Sequence, residues 1–305
     1  MSDKTGRRAA PSQSRAKRAS VPSSDTDPCW HELPDAFLSE SGTVHVREPE
    51  DANLTQVQWQ LRRGRYAKPF VFDDGEMLRL HFNLRYVQSA MRLDAPDELV
   101  LEYTQKMMAF LLFRPNPRHV IVVGMGGGSL SKFCYQHLPR TRVTTLEIDA
   151  EVIGFAELFR IPPPNARMRI VHGDAVEYFA GKGEAADSIL IDGCDRRGVA
   201  AAFCTADFYR NLRRRLRPGG IVVVNLIGGT HNGEALRRTI AEVFGSHVLS
   251  LKVDVGGNRV LFAFNGSEPA PRDWPAIRDR AEGLSQALGL DFPAYAQNLQ
   301  RSARR

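Results

Sequence analysis

The sequence has no apolar run approaching the roughly 20 residues that a membrane-crossing helix requires, and its first 20 residues, MSDKTGRRAAPSQSRAKRAS, carry no apolar core of a secretory signal. A cytoplasmic protein without a membrane partner is therefore expected. Cysteine is scarce: Cys29, Cys134, Cys194 and Cys204 form no C-x-x-C pair and have no zinc-ligand spacing, which argues against a disulfide framework and against a metal. Cys194, with no histidine partner evident in the sequence, reads as a lining residue rather than a nucleophile. A basic body is also missing. The formal net charge is +6, but six cations against Asp3 give the first 20 residues +5 and the last five residues add +3, leaving the body near −2. That removes the case for nucleic-acid binding. Residues 1–28 read as a disordered basic tail.

What is present is an ordinary globular composition, 43% hydrophobic in 305 residues, enough for a large domain with a smaller one attached. Residues 29–92 are expected to form a small antiparallel β domain, because short segments such as Met77-Leu78-Arg79-Leu80-His81-Phe82 alternate apolar with polar and Asp73-Asp74-Gly75 supplies a turn. A helix is expected to start after Asp94, with Pro96 in its first turn, Asp97 and Glu98 near its positive end, and Leu99, Tyr103, Met107 and Leu111 at apolar positions. Residues 93–265 are expected to form the larger, catalytic domain, in which the pattern changes to βα repeats from His119. Strands are expected at 119–124, 142–147, 168–172, 186–192 and 220–226, with helices near 129–138, 150–159, 174–180, 205–217 and 232–245. Two last strands, 247–254 and 258–264, joined at Gly256-Gly257-Asn258, read as a hairpin. Residues 266–305 are expected to hold an amphipathic helix from about Asp273 to Leu288 and a basic end.

Several strand ends carry groups that could serve a ligand. The run His119 to Ser129, HVIVVGMGGGS, ends in a loop whose backbone at Gly124, Gly126, Gly127 and Gly128 can approach a nucleoside closely, although Ser129 stands where a dinucleotide fingerprint has its third glycine. Glu147, about 20 residues on, is placed to accept ribose hydroxyls. Asp174, followed by Ala175, can accept an exocyclic amine and cap the next helix at once. Asp192 and Asp195 close the series. Open α/β sheets bind ligands along the carboxyl ends of their strands, so the ladder outlines a nucleoside site with carboxylates to spare.

Five βα units closed by a hairpin resemble the class I, Rossmann-like, seven-stranded fold of enzymes that use S-adenosylmethionine (AdoMet). From about Phe70 to Phe264 the order of motifs resembles the spermidine synthase or polyamine aminopropyltransferase family: the β unit, Asp97-Glu98, the loop-to-Glu147 spacing, Gly173-Asp174, and an acid-x-x-acid turn followed by Phe208-Tyr209. The resemblance implies transfer of an aminopropyl group from decarboxylated AdoMet to a small-molecule amine. It makes Asp195 the catalytic base, gives Asp192 a part in catalysis and in holding the ligands, brings Gln88 and Asn225 to the acceptor, and implies a homodimer. An amine with a pKa near 10.4 must lose a proton before it attacks carbon, which is work for a carboxylate. Three departures stand out: Gly127 occupies the place of an acid that holds the donor's amine, the family's Tyr-His-Glu segment is absent, and Arg196-Arg197 follow Asp195. They leave open a methyltransferase using intact AdoMet and a nucleoside-binding protein without turnover.

Overall fold

In a computed structural model of the chain, the described residues are 28–34, 41–195, 198–227, 233–245, 248–266 and 273–304, with the side chains of 194–199 excluded. The reading of a basic N-terminal tail lies almost wholly outside them. An antiparallel sheet comes first, with its strands paired in chain order: β1 (Cys29–Pro34), β2 (Thr43–Glu48), β3 (Phe70–Asp73), β4 (Met77–Asn83) and β5 (Tyr86–Arg92). A helix, α1 (Leu54–Arg62), interrupts the strands between β2 and β3, and the Asn53 side chain caps it by accepting from the Gln56 N–H at 3.1 Å. Alternation of apolar and polar residues does not reveal it.

The second sheet has seven strands. These are β6 (His119–Val123), β7 (Arg142–Glu147), β8 (Met168–His172), β9 (Ala186–Ile191), β12 (Leu216–Leu226), β13 (Val248–Lys252) and β14 (Arg259–Phe264), in the order β13-β14-β12-β9-β6-β7-β8. Two short strands, β10 (Cys194–Asp195) and β11 (Gly198–Val199), form a separate ribbon. The hairpin of β13 and β14 runs antiparallel, while β12, β9, β6, β7 and β8 are parallel neighbours. This is the seven-stranded α/β sheet that the βα repeats predict.

Its central strands are buried along most of their length because both faces are covered, β6 and β9 completely. Successive side chains point to opposite faces, so Val120, Val122, Ile221, Val223, Val260 and Phe262 enter one core, and Ile121, Val123, Val222, Val224, Leu261 and Ala263 enter the other. The first core is closed by α8 (Trp274–Leu288) and α9 (Phe292–Ser302), which contribute Ile277, Ala281, Phe292 and Leu299. The second is closed by α5 (Ala175–Ala180), α6 (Ala206–Arg215) and α7 (Gly233–Phe244). Helix α9 was not foreseen: Gly289 at φ 70° ends α8, and Asp291 then caps a new helix whose Pro293 sits in the first turn.

The helix expected after Asp94 is corrected. Helix α2 spans Glu102–Met107 and tightens into a 3₁₀ segment, Met108–Leu112, that is completely buried. The acids that suggested an earlier start bind side chains instead, Asp97 pairing with His137 at 2.9 Å and Glu98 approaching Arg92 at 3.5 Å. The Glu98 N–H closes a turn on the Ala95 carbonyl, and Leu101 is extended at the helix entry.

A third core joins the two sheets. Val71, Leu78, Leu80 and Met91 from the first meet Met125, Phe155, Phe159 and Ile161 beside the glycine loop. Within it, on α3 (Ser129–His137), lies Lys132, only 3% exposed, donating to the Phe159 carbonyl at 2.8 Å and contacting Met91 Sδ at 2.9 Å. Burial pulls its pKa down to about 7. Between that value and the ordinary one near 10.5 the unfolded chain binds a proton the folded chain does not, so stability rises with pH across this window. One proton contributes a slope of up to about 1.4 kcal/mol per pH unit. Lys132→Met should therefore be flatter than the wild type in denaturant-measured stability between about pH 7 and pH 10; parallel curves would show that Lys132 stays charged in the fold.

Candidate active site

The carboxyl ends of β6, β7, β8 and β9 open into a cavity of about 310 Å³, a size usual for a small-molecule site. Its wall takes in Gly124, Gly126, Glu147, Gly173, Asp174, Ala175 and Asp192 from the strand ends, and Phe82, Gln88 and Ser89 from the first sheet. Tyr103 of α2 and Phe203 complete it from either side. The structure thus brings most of the expected nucleoside and acceptor residues to one place.

Gly124 makes the crossing possible. Its φ is 89°, and a Cβ there would lie 2.4 Å from the Asp192 carbonyl oxygen, so no side chain can be accommodated where the loop leaves β6 beneath the end of β9. Gly127 and Gly128 do not line the cavity. They face Phe159 and Ile161 respectively. A Cβ on Gly127 would come within 2.7 Å of the Phe159 ring and 2.8 Å of Ser89 Oγ, which gives the missing acid a physical reason: its space is filled. Near that position the cavity presents neutral hydroxyls, Ser89 Oγ and Ser129 Oγ, 3.4 Å apart.

Glu147 has two duties. Its Oε2 accepts the Met125 N–H at 2.8 Å and its Oε1 accepts the Asp149 N–H at 3.0 Å, so the carboxylate pins the glycine loop while forming part of the cavity wall. Asp174 likewise caps α5, accepting the Val176 N–H at 2.7 Å, and lines the cavity.

Asp192 is the most perturbed acid of the site. Tyr103 Oη donates to its Oδ2 and Asn225 Nδ2 donates to its Oδ1, both at 3.0 Å. Burial raises its pKa to about 6, against the lowering effect of these two hydrogen bonds. A carboxylate so poised can exchange a proton near neutrality. Asn225 therefore stands behind Asp192 rather than in the cavity wall, and Gln88 is in the wall. The Asp195 side chain, with Arg196 and Arg197, lies outside the described residues. Tyr103 stands at an apolar helix position in the sequence pattern, where the family's Tyr-His-Glu segment is absent. Its phenol could not be assigned to Asp192 across 89 residues of sequence.

Among the described residues no cluster of three His, Cys, Asp or Glu side chains is placed to hold a metal ion, and no helix is long and apolar enough to cross a membrane.

The chain has known relatives. The sequence model of the spermine/spermidine synthase domain matches residues 100–232. The polyamine aminopropyltransferase of Neisseria meningitidis is 35% identical over 234 residues, covering 76% of this chain and 89% of its own length. That of Chromobacterium violaceum is 32% identical over 233 residues, with the same coverage of 76% and 89%. The spermidine synthase structure from Thermotoga maritima superposes with a TM-score of 0.60 at 18% identity, over 76% of this chain and 80% of that one, which shows a shared fold.

Removing the Glu147 carboxylate should act on both of its duties. Glu147→Ala is expected to weaken binding of adenosyl ligands at least about tenfold, and to cost about 1–3 kcal/mol of stability as two backbone N–H groups lose their acceptor. Calorimetric titration with AdoMet and thermal melting measure the two effects; unchanged affinity would remove Glu147 from the ligand site.

Proposed function

We propose, because the chain belongs to the polyamine aminopropyltransferase family, that this cavity holds decarboxylated AdoMet and a small-molecule amine and moves an aminopropyl group from one to the other. The chain is a transferase. The observation that carries the proposal is the half-buried Asp192, its pKa raised to about 6, in the same cavity wall as Glu147 and Asp174.

Each residue has a task that follows from its setting. Glu147 accepts from the ribose and Asp174 from the adenine amine, while the backbone at Gly124 and Gly126 allows close approach. The donor supplies an electrophilic carbon beside its sulfonium. An incoming ammonium is attracted to Asp192 and to the second acid of the turn, Asp195. Low dielectric in the cavity weakens the charged form of amine and carboxylate alike, narrowing the gap between their proton affinities. The proton passes to a carboxylate, the freed lone pair attacks the carbon, and the carbon–sulfur bond breaks to release a neutral thioether nucleoside. We assign the base to this pair of acids, with Asp192 its described member. Gln88 contacts the acceptor, and Tyr103 and Asn225 orient Asp192. The homodimer is part of the same proposal, and light scattering should then give twice 34.0 kDa.

Two incubations decide the matter. Decarboxylated AdoMet with putrescine should yield an aminopropylated amine and the thioether nucleoside by mass spectrometry, and intact AdoMet should not; methylated product, or no product from either donor over a panel of amines, would overturn the proposal. Activity should fall as pH drops through about 6, where Asp192 takes up a proton. Tyr103→Phe removes a hydrogen bond that favours the carboxylate, so the acid limb should move to higher pH.

A further inference from the structure

Asp192 is connected to a part of the molecule that does not line the cavity. Behind it, Asn225 Nδ2 donates to Oδ1, and Asn225 Oδ1 accepts in turn from Asn258 Nδ2 at 3.1 Å. The order of donors is dictated by chemistry. An ionised carboxylate only accepts, so the Asn225 amide must present its NH₂ to Asp192 and its oxygen to Asn258, which must then donate.

Asn258 ends the turn that leads into β14, the second strand of the terminal hairpin, and the hairpin is fastened to the helix that carries Tyr103. The Val253 N–H donates to the Asn258 carbonyl at 2.8 Å, closing the turn over Gly256 and Gly257 at φ 79° and 70°. Glu102 accepts the N–H groups of Asp254 and Val255 at 3.1 and 2.9 Å, and Lys106 donates to the Lys252 carbonyl at 2.7 Å and to Asp254 Oδ2 at 2.9 Å. Helix α2 thus reaches Asp192 along two routes, directly through Tyr103 and indirectly through hairpin, Asn258 and Asn225.

We infer that Asn258 is a positioning residue: held in place by the hairpin, it locks the Asn225 amide in the one orientation that hydrogen-bonds the Asp192 carboxylate. The inference rests on the reading of Asp192 as the group that meets the amine. Without the Asn258 donor, the Asn225 amide can turn its oxygen toward the carboxylate, and two acceptors then face each other. That disfavours the ionised form and raises the proton affinity of Asp192. Other titratable groups around it are few. Tyr103 donates to it, Glu147 and Asp174 share its cavity, Glu102, Lys106 and Asp254 fasten the hairpin, and the Asp195 side chain is undescribed.

The test is a carbon-13 carboxyl NMR titration of the full-length chain, with the Asp192 signal identified by its loss in Asp192→Asn. Asn258→Ala and Asn258→Leu, the second of similar size but without a donor, should each raise the Asp192 midpoint by about half a unit or more. In turnover the acid limb of kcat should move up by the same amount while the affinity for the donor stays as in the wild type. If Asn258→Ala does not fold, Asn258→Leu carries the measurement. A midpoint that stays within about 0.2 unit of the wild type in the folded variants overturns the inference. The titration needs no substrate, so failed aminopropyl transfer and an unmoved midpoint are separate outcomes.

Discussion

Everything at the site depends on how closely β6 and β9 approach where they end. The Asp192 N–H donates to the Val123 carbonyl at 2.8 Å, and the Asp192 carbonyl then lies so near Gly124 that a single added carbon would collide with it. Because the loop can leave the sheet at that point, Glu147 can hold its next residue by the Met125 N–H. The glycine loop, Glu147 and Asp192 are therefore parts of one hydrogen-bonded junction. None could be moved without disturbing the others.

The junction has an unequal distribution of charge. On one side, Glu147 and Asp174 accept from backbone N–H groups, which orients them. On the other side, Asp192 accepts, among the described residues, from a phenol and an amide, and burial outweighs them. The contrast follows from the partners: the first two carboxylates accept from the backbone of turns beside them, and the third accepts from side chains on α2 and β12. A carboxylate satisfied by side chains is easier to tune than one built into a turn, because changing the side chain leaves the backbone intact.

The βα pattern was legible because each buried strand is a short apolar run bounded by turn residues, and the observed strand ends mostly fall within a residue or two of those expected. The glycines and acids at the carboxyl ends were legible for the same reason, since a parallel sheet sends those ends to one edge. The helix after Asp94 was misplaced because Asp97 and Glu98 bind His137 and Arg92, partners that no local rule supplies. Helix α1 was hidden among strands, and α9 depends on burying Phe292, Ala296 and Leu299 against a sheet face the local pattern does not reveal. Gly127 and Gly128 looked like cavity residues from their spacing, yet they make room for Phe159 and Ile161.

By itself the sequence determined which residues could serve a nucleoside and an amine, because glycine, carboxylate and strand periodicity are local properties. Tertiary structure alone decided what state those groups are in. Tyr103 is on α2, Asp192 directly follows β9, Asn225 is on β12 and Asn258 directly precedes β14, and only packing of these segments brings them within hydrogen-bond range. Proton affinity depends on burial and on donors a few ångströms away, and both are set by contacts between segments far apart in the chain.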